Sequence, residues 1–152
     1  MTEYFFEMIN KGDFLLYIDG KEIFIERKFG GFVFTSNMFI DKKLVLTSKL
    51  KQVLFYRKLK ITFSEPDLGI NLINNHTFNI NKEIISYKSK ALNFNPNYSF
   101  YSNGNLILEC YTPKIFSSKK QYKLVIYDEN ENLIHYILCF FIIFSLDDIA
   151  IE

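Results

Sequence analysis

The chain has 152 residues and a formal net charge of +1, and 49% of its residues are hydrophobic and 23% charged. This length fits one ordinary domain, because two halves would each lie near the size at which hydrophobic cores become marginal. With only three Pro and six Gly, the composition excludes disordered and collagen-like classes.

The composition favours β-structure and a reducing compartment. The chain contains 17 Phe, 10 Tyr and twenty Ile against two Ala, a mixture that suits pleated sheets and disfavours helices. Its two cysteines, Cys110 and Cys139, are too few for a disulfide scaffold and form no CxxC pattern. The start MTEYFFEM carries acids where a secretory leader would carry positive charge. We therefore expect a cytoplasmic protein.

Short apolar runs separated by turn residues recur along the chain. Two-residue turns containing Gly accept positive φ and suit hairpins. They predict three hairpins: FLLYI with KEIFI across Asp19-Gly20, the strand ending at Phe29 with FVFTS across Gly30-Gly31, and SFYS with NLILECY across Asn103-Gly104. Further predicted strands are YFFEMI, KKLVLTS (42–48), KLKITF (58–63), HTFNI (76–80), EIISY (83–87) and QYKLVIY (121–127). The chain is thus predicted to form a meander of about ten strands.

Two features of this region are open. Residues 49–57 fit either a helical turn or another strand, because Leu50, Val53 and Leu54 follow a helical period. The Asn-rich stretches around 71–81 and 93–97 are candidate surface loops. No composition shift marks a domain boundary, so residues 1–152 are predicted to form a single domain.

The C-terminal segment differs in kind from the rest. Residues 133–146 read LIHYILCFFIIFSL and follow Asp128, Glu129, Asn130 and Glu131, which favours a helix beginning near residue 131 and ending near 148. A helix that is apolar on every side must be buried on every side. At about 1.5 Å per residue the run is short for a membrane span. The sequence therefore favours a closed antiparallel barrel around this helix, with a membrane anchor or a further strand as alternatives.

Two stretches carry a resemblance to a known family. Residues 137–149, ILCFFIIFSLDDI, and residues 113–134, PKIFSSKKQYKLVIYDENENLI, are similar to the end of the tubby C-terminal-like superfamily, in particular its LURP-one-related and phospholipid scramblase branch. The resemblance implies a roughly twelve-stranded barrel wrapped around a hydrophobic C-terminal helix. It also implies binding of phosphoinositides through basic barrel residues, although no residue of that kind aligns one by one.

The polar motifs give no catalytic or metal site. Asp128, Asn130 and Asn132 imitate the start of a calcium loop, but Leu133 stands where that loop needs Gly and Cys139 where it needs Glu. This departure favours a helix-capping turn and puts a scramblase activity in doubt. His76 and His135 pair with neither cysteine at ligand spacing. We predict no metal, no cofactor and no catalytic residue, which favours a non-enzymatic protein and leaves the question of an activity open.

Charge is distributed unevenly. Residues 42–127 hold fourteen basic and four acidic side chains, and no acid occurs between Lys42 and Phe63. Clustered cations beside aromatic rings, here Phe55 and Tyr56, can hold anionic lipid headgroups while the rings lie at the interface. The candidate lipid-binding residues are Lys42, Lys43, Lys49, Lys51, Arg57, Lys58 and Lys60. A solvated lysine-rich face is the competing interpretation, and Lys114, Lys119, Lys120 and Lys123 form a second basic stretch.

The function predicted from these observations is a non-enzymatic binding or scaffold domain. We expect peripheral association with anionic, phosphoinositide-type lipid and no specific nucleic acid, because the chain has only two Arg. The alternatives are a small cytoplasmic β-domain anchored by its C-terminal segment and a ligand-carrying barrel. The sequence leaves the lipid, any protein partner, the oligomeric state and any enzymatic activity open.

Overall fold

Antiparallel strands form one sheet that nearly closes into a barrel. The computed structural model of the protein describes residues 1–10, 12–90, 96–113 and 121–147. The strands are β1 (Thr2–Ile9), β2 (Asp13–Ile18), β3 (Lys21–Gly30), β4 (Val33–Ile40), β5 (Lys43–Val53), β6 (Tyr56–Ser64), β7 (Ile70–Asn74), β8 (Thr77–Ile80), β9 (Glu83–Ser89), β10 (Tyr98–Ser102), β11 (Asn105–Tyr111) and β12 (Gln121–Ile126). A 3₁₀ turn (Pro66–Leu68) joins β6 to β7, and helix α1 (Leu133–Asp147) follows β12.

The strands run up and down in chain order. Consecutive strands are neighbours, β1 also pairs with β12, and β6 and β7 are the two edges of the sheet. The mostly β class and the barrel predicted from the sequence are therefore confirmed, with twelve strands described instead of about ten. One open assignment is settled and one expectation differs. Residues 49–53 continue β5 because Leu50 points into the core opposite Leu59, and the Asn-rich stretch contains β7, whose Ile70 is buried.

The up-and-down course places alternate turns at opposite ends of the barrel. The β1–β2, β3–β4, β5–β6 and β7–β8 turns lie at one end, which we call the tip end. The β2–β3, β4–β5, β8–β9 and β10–β11 turns lie at the other, the helix-entry end, where β12 leads into α1. The predicted Asp-Gly and Asn-Gly hairpins form at this end, and Asp19, Gly20, Asn103 and Gly104 all have positive φ.

Helix α1 fills the barrel. Its sequence is apolar on every side, and every residue from Tyr136 to Phe144 is at most 3% exposed. The ring centroid of Phe140 lies 5.7 Å from that of Phe100, and the ring of Phe144 lies 5.1 Å from Phe14 and 5.2 Å from Tyr122. The predicted helix around 131–148 is present as Leu133–Asp147, and residue 148 lies outside the described part of the chain.

The helix is short for a bilayer. Within the described residues, no helix combines the length and the apolar character that a membrane span requires.

A polar cluster fixes the helix N-terminus against the barrel. The Asn130 Oδ1 atom accepts a hydrogen bond from the Asn132 backbone N–H at 2.7 Å, which makes the Asp128-to-Asn132 segment a turn into the helix. The Glu83 carboxylate, at the start of β9, accepts hydrogen bonds from the Tyr136 hydroxyl (2.6 Å) and the Asn132 side-chain amide (2.9 Å). The Ser102 hydroxyl donates to the same carboxylate at 2.7 Å.

These donors decide the ionisation of Glu83. Desolvation by burial raises the pKa of the Glu83 carboxyl, but hydrogen bonds from Tyr136, Ser102 and Asn132 favour the ionised form and lower its pKa below the ordinary value of 4.5 overall. A depressed folded-state pKa stabilises the fold above the unfolded-state pKa, and this stabilisation disappears as the pH falls through the folded-state value.

We predict that Glu83→Gln lowers the free energy of unfolding by about 2 kcal/mol at neutral pH, because hydrogen bonds to a charged acceptor become bonds to a neutral one. Urea unfolding at neutral pH and again well below pH 4.5 measures this loss, which should shrink in acid, where Glu83 is protonated in the parent protein too. The exposed Glu7→Gln is the matched control. An equal loss at both pH values would contradict the assigned role of the carboxylate.

Candidate functional site

The seven basic residues singled out from the sequence occupy two places on the barrel. Lys42 and Lys43 lie at the β4–β5 turn, at the helix-entry end, where the Lys43 Nζ atom lies 3.4 Å from Glu65 Oε1. The other five residues lie toward the tip end, on the β5–β6 hairpin. From Lys43 to Lys51 the strand extends roughly 26 Å, so the seven residues do not form one compact site.

Four lysines of the β5–β6 hairpin form a regular array on the outer wall. Lys49 lies opposite Lys60, and Lys51 lies opposite Lys58. We call these four residues the lysine array. All four are exposed, whereas the alternate residues Leu50 and Leu59 are 2% and 6% exposed and face the core.

The array is an unfavourable arrangement in the absence of an anion. Like charges directly opposite each other on neighbouring strands repel and lower sheet stability. No Asp or Glu occurs in β5 or β6, and the neighbouring outward residues of β4 are Val33 and Thr35. An anionic surface would relieve this repulsion and bind at the array.

Exposed apolar side chains lie at the tip of the same hairpin. Leu54 is 87%, Phe55 102% and Tyr56 56% exposed. The adjacent β3–β4 hairpin ends in Phe29 and Phe32, which are 68% and 66% exposed. The Gln52 backbone N–H donates to the Phe32 carbonyl at 3.0 Å and holds the two tips together. Together these side chains form an exposed apolar patch at the tip end, of the kind that marks an interaction surface.

Arg57 is separated from the lysine array. It shares the face of β6 that carries Leu59, and it lines a cavity of about 270 Å³ near the tip end. The other residues lining the cavity are Leu50, Phe55, Leu59, Asn75, His76, Tyr87 and Ile143. Within it, His76 Nδ1 lies 3.1 Å from the Tyr87 hydroxyl oxygen. Half of these lining residues are apolar and half are polar, and a combination of apolar walls with polar groups occurs in small-ligand pockets.

The two cysteines lie in the core, and His135 on α1 is partly buried. Both cysteines are buried free thiols, and burial raises the pKa of each thiol well above its ordinary value, so both stay protonated at neutral pH. Burial also lowers the pKa of His135, against the opposing charge of Glu83. Its Nδ1 atom is buried and has no hydrogen-bond partner among the described residues. Across the described residues, no group of three or more His, Cys, Asp or Glu side chains is placed to hold a metal ion.

The second basic stretch is only partly described. Lys114, Lys119 and Lys120 lie outside the described residues. Lys123 lies on β12, where its Nζ atom is 3.5 Å from Glu3 Oε1 and 4.8 Å from the centre of the Tyr111 ring. Lys123 therefore has an acidic neighbour of its own and lies on β12, apart from the lysine array.

Sequence reasoning places Phe55 and Tyr56 beside the lysines, but it misses the rest of the apolar tip and the Glu83 cluster. Leu54 and Phe55 form the two-residue connection between β5 and β6. Such a connection places side chains at the surface, but the sequence leaves residues 49–57 open between a helical turn and a strand. Glu83 gives no such signal, because its partners Ser102 and Asn132 are distant in sequence.

Comparison of the chain with protein-family models, with curated proteins and with solved structures finds no match.

Proposed function

We propose that the protein is a non-enzymatic binding domain that associates peripherally with anionic lipid surfaces, with its tip end toward the bilayer. The observation that carries this proposal is the combination, on one hairpin, of the lysine array with the exposed Leu54, Phe55 and Tyr56. The resemblance to tubby-like barrels points to the same class of ligand.

The two parts of the surface have separate roles. Lysines near an anionic membrane each contribute about 1 kcal/mol of attraction, and this contribution falls off within a Debye length. Phe55 and the neighbouring Phe32 would enter the interfacial region, where aromatic and apolar side chains leave water. Lys42 and Lys43 lie at the opposite end of the barrel and have no part in this contact.

A ligand-carrying barrel is the second candidate. The cavity that contains Arg57, His76 and Tyr87 favours it, since small-ligand sites often lie in the mouths of β-barrels. The barrel interior is otherwise occupied by α1, so this candidate is confined to the mouth and does not compete with the outer lysine array for the same ligand.

We predict that the double variant Lys51→Gln/Lys58→Gln binds vesicles containing phosphatidylserine about 30-fold more weakly than the parent. Two lysines contribute roughly 2 kcal/mol of attraction, and 1.4 kcal/mol corresponds to a factor of ten. Flotation of the full chain, without detergent, measures the effect. Binding of the parent should disappear on neutral vesicles, and it should weaken strongly at about 1 M salt, where the Debye length is about 3 Å.

The matched control for the charge is Lys21→Gln/Lys82→Gln, which removes two exposed lysines at the helix-entry end. Equal weakening by both double variants would mean that net charge, not the array, sets the affinity. A parent protein that stays soluble and floats with no vesicle would overturn the lipid proposal and direct attention to protein partners.

Phe55→Ser is predicted to weaken binding to the same anionic vesicles roughly tenfold, because burial of a Phe side chain contributes at least about 1.5 kcal/mol. Unlike the loss from the lysine variant, this loss should persist at raised salt. Tyr17→Ser removes another exposed aromatic, 63% exposed on β2, and serves as the control. If Phe55→Ser floats as the parent does, the tip makes no contact with the bilayer.

A further inference from the structure

The barrel is open along one line, between the edges β6 and β7. These two strands are the ends of the sheet and form no strand pair with each other in the described chain. Between them lies a groove of about 570 Å³, lined by residues 58–64 and 70–75, which we call the β6–β7 groove. Exposed strand edges are templates for pairing with another extended chain.

A side chain already bonds to this edge as a neighbouring strand would. At the tip end of the groove, the Asn75 side-chain amide donates to the Arg57 carbonyl at 2.9 Å, and its Oδ1 atom accepts from the Leu59 N–H at 3.2 Å. A neighbouring strand would pair in the same way, because it also presents a donor and an acceptor to alternate residues of the edge. Asn75 therefore shows that the backbone of β6 is oriented to hydrogen-bond across the groove.

The next backbone groups along β6 point the same way. Backbone N–H and C=O groups alternate in direction along a strand, so those of Ile61 point to the same side of β6 as those of Leu59. Ile61 also lines the groove. The Asn75 side chain bonds to the Leu59 N–H and does not reach Ile61. The register of the β5–β6 pair shifts beyond Ile61, where Ser48 lies opposite Ile61 and Thr47 opposite Phe63. Among the described residues, this alternation therefore presents the edge of β6 to an added segment at Leu59 and Ile61.

The side chains around the groove define the kind of segment that fits. Lys58 and Lys60 project outward from β6, while Phe63 and Ile73 are 41% and 54% exposed along the two rims. A partner strand that alternates acids and β-branched residues would place its acids on the outer face beside these lysines and its β-branched residues on the inner face, toward Ile61 and Leu72, which line the groove. A second copy of the chain fits poorly, because its β6 edge would place lysines against lysines and β7 offers Asn in place of acids.

We infer that the β6–β7 groove binds an extended segment of a partner protein, with alternating acidic and β-branched side chains, as an added strand on β6. Strand addition of this kind takes affinity from main-chain hydrogen bonds and specificity from alternate side chains. The inference is independent of lipid binding except that Lys58 and Lys60 serve both surfaces.

The test uses a fluorescent hexapeptide of alternating Glu and Val, without vesicles, and follows its anisotropy as the full-length protein is added. We expect saturable binding and a loss of at least about tenfold when the backbone nitrogens of one set of alternate residues are methylated, the set that faces β6, whereas methylation of the other set leaves the affinity close to that of the parent peptide. N-methylation leaves charge and side chains unchanged, removes a donor and adds a methyl group, and the set that faces away from β6 is the control for the added bulk. Equal affinity of the parent and both methylated peptides, or no saturable binding of the parent peptide, would overturn the inference.

A charge exchange identifies the site. Lys58→Glu/Lys60→Glu should lose the Glu-Val peptide and gain a Lys-Val peptide of the same length, whereas Lys21→Glu/Lys82→Glu, at the helix-entry end, should keep the original preference. An unchanged preference in the first variant would place the peptide elsewhere and contradict the inference. Because the methylation comparison involves no membrane, its failure leaves the vesicle results unaffected, and the reverse also holds.

Discussion

The structure depends on the burial of one apolar helix inside one sheet. Residues 136–144 offer no polar face to water, and a helix of this kind is stable in a soluble fold only when it is covered on every side. A nearly closed β-barrel supplies that cover. The inward side chains of β1, β2, β10 and β12, such as Phe6 and Phe100, meet the helix from different directions, so the strands and the helix stabilise each other and neither is expected to form alone.

This arrangement determines where function can lie. With the interior occupied, binding surfaces must be on the outer wall, at the barrel mouth or along the open edge. The helix enters the barrel at the end where the Tyr136 hydroxyl donates to Glu83. The hairpins at the opposite end take no part in holding this helix N-terminus. There Phe55 and its neighbours are exposed beside the lysine array, and Asn75 secures one end of the groove between β6 and β7.

The class of fold could be read from the sequence because its signals are local. Asp19-Gly20 and Asn103-Gly104 specify hairpins within a few residues, and the apolar run after Leu133 specifies a helix that needs complete burial. Strand β7 was not recognised because only Ile70 of its residues is buried and Asn residues dominate the rest. The sequence identifies the lysines of the array but not the surface that they form, because the pairing of Lys49 with Lys60 depends on strand register. For the same reason it does not show that Arg57 lies on the other face of β6.

The central claim, that α1 is the core of the barrel, is tested most directly by native-state hydrogen exchange in detergent-free solution. The account predicts that backbone amides from Ile137 to Phe144 exchange only by global unfolding, with the same opening free energy as the central strands β1 and β12. Helix amides that exchange much faster than those strands, while the strands remain protected, would show a barrel that is stable without its helix and would contradict the account.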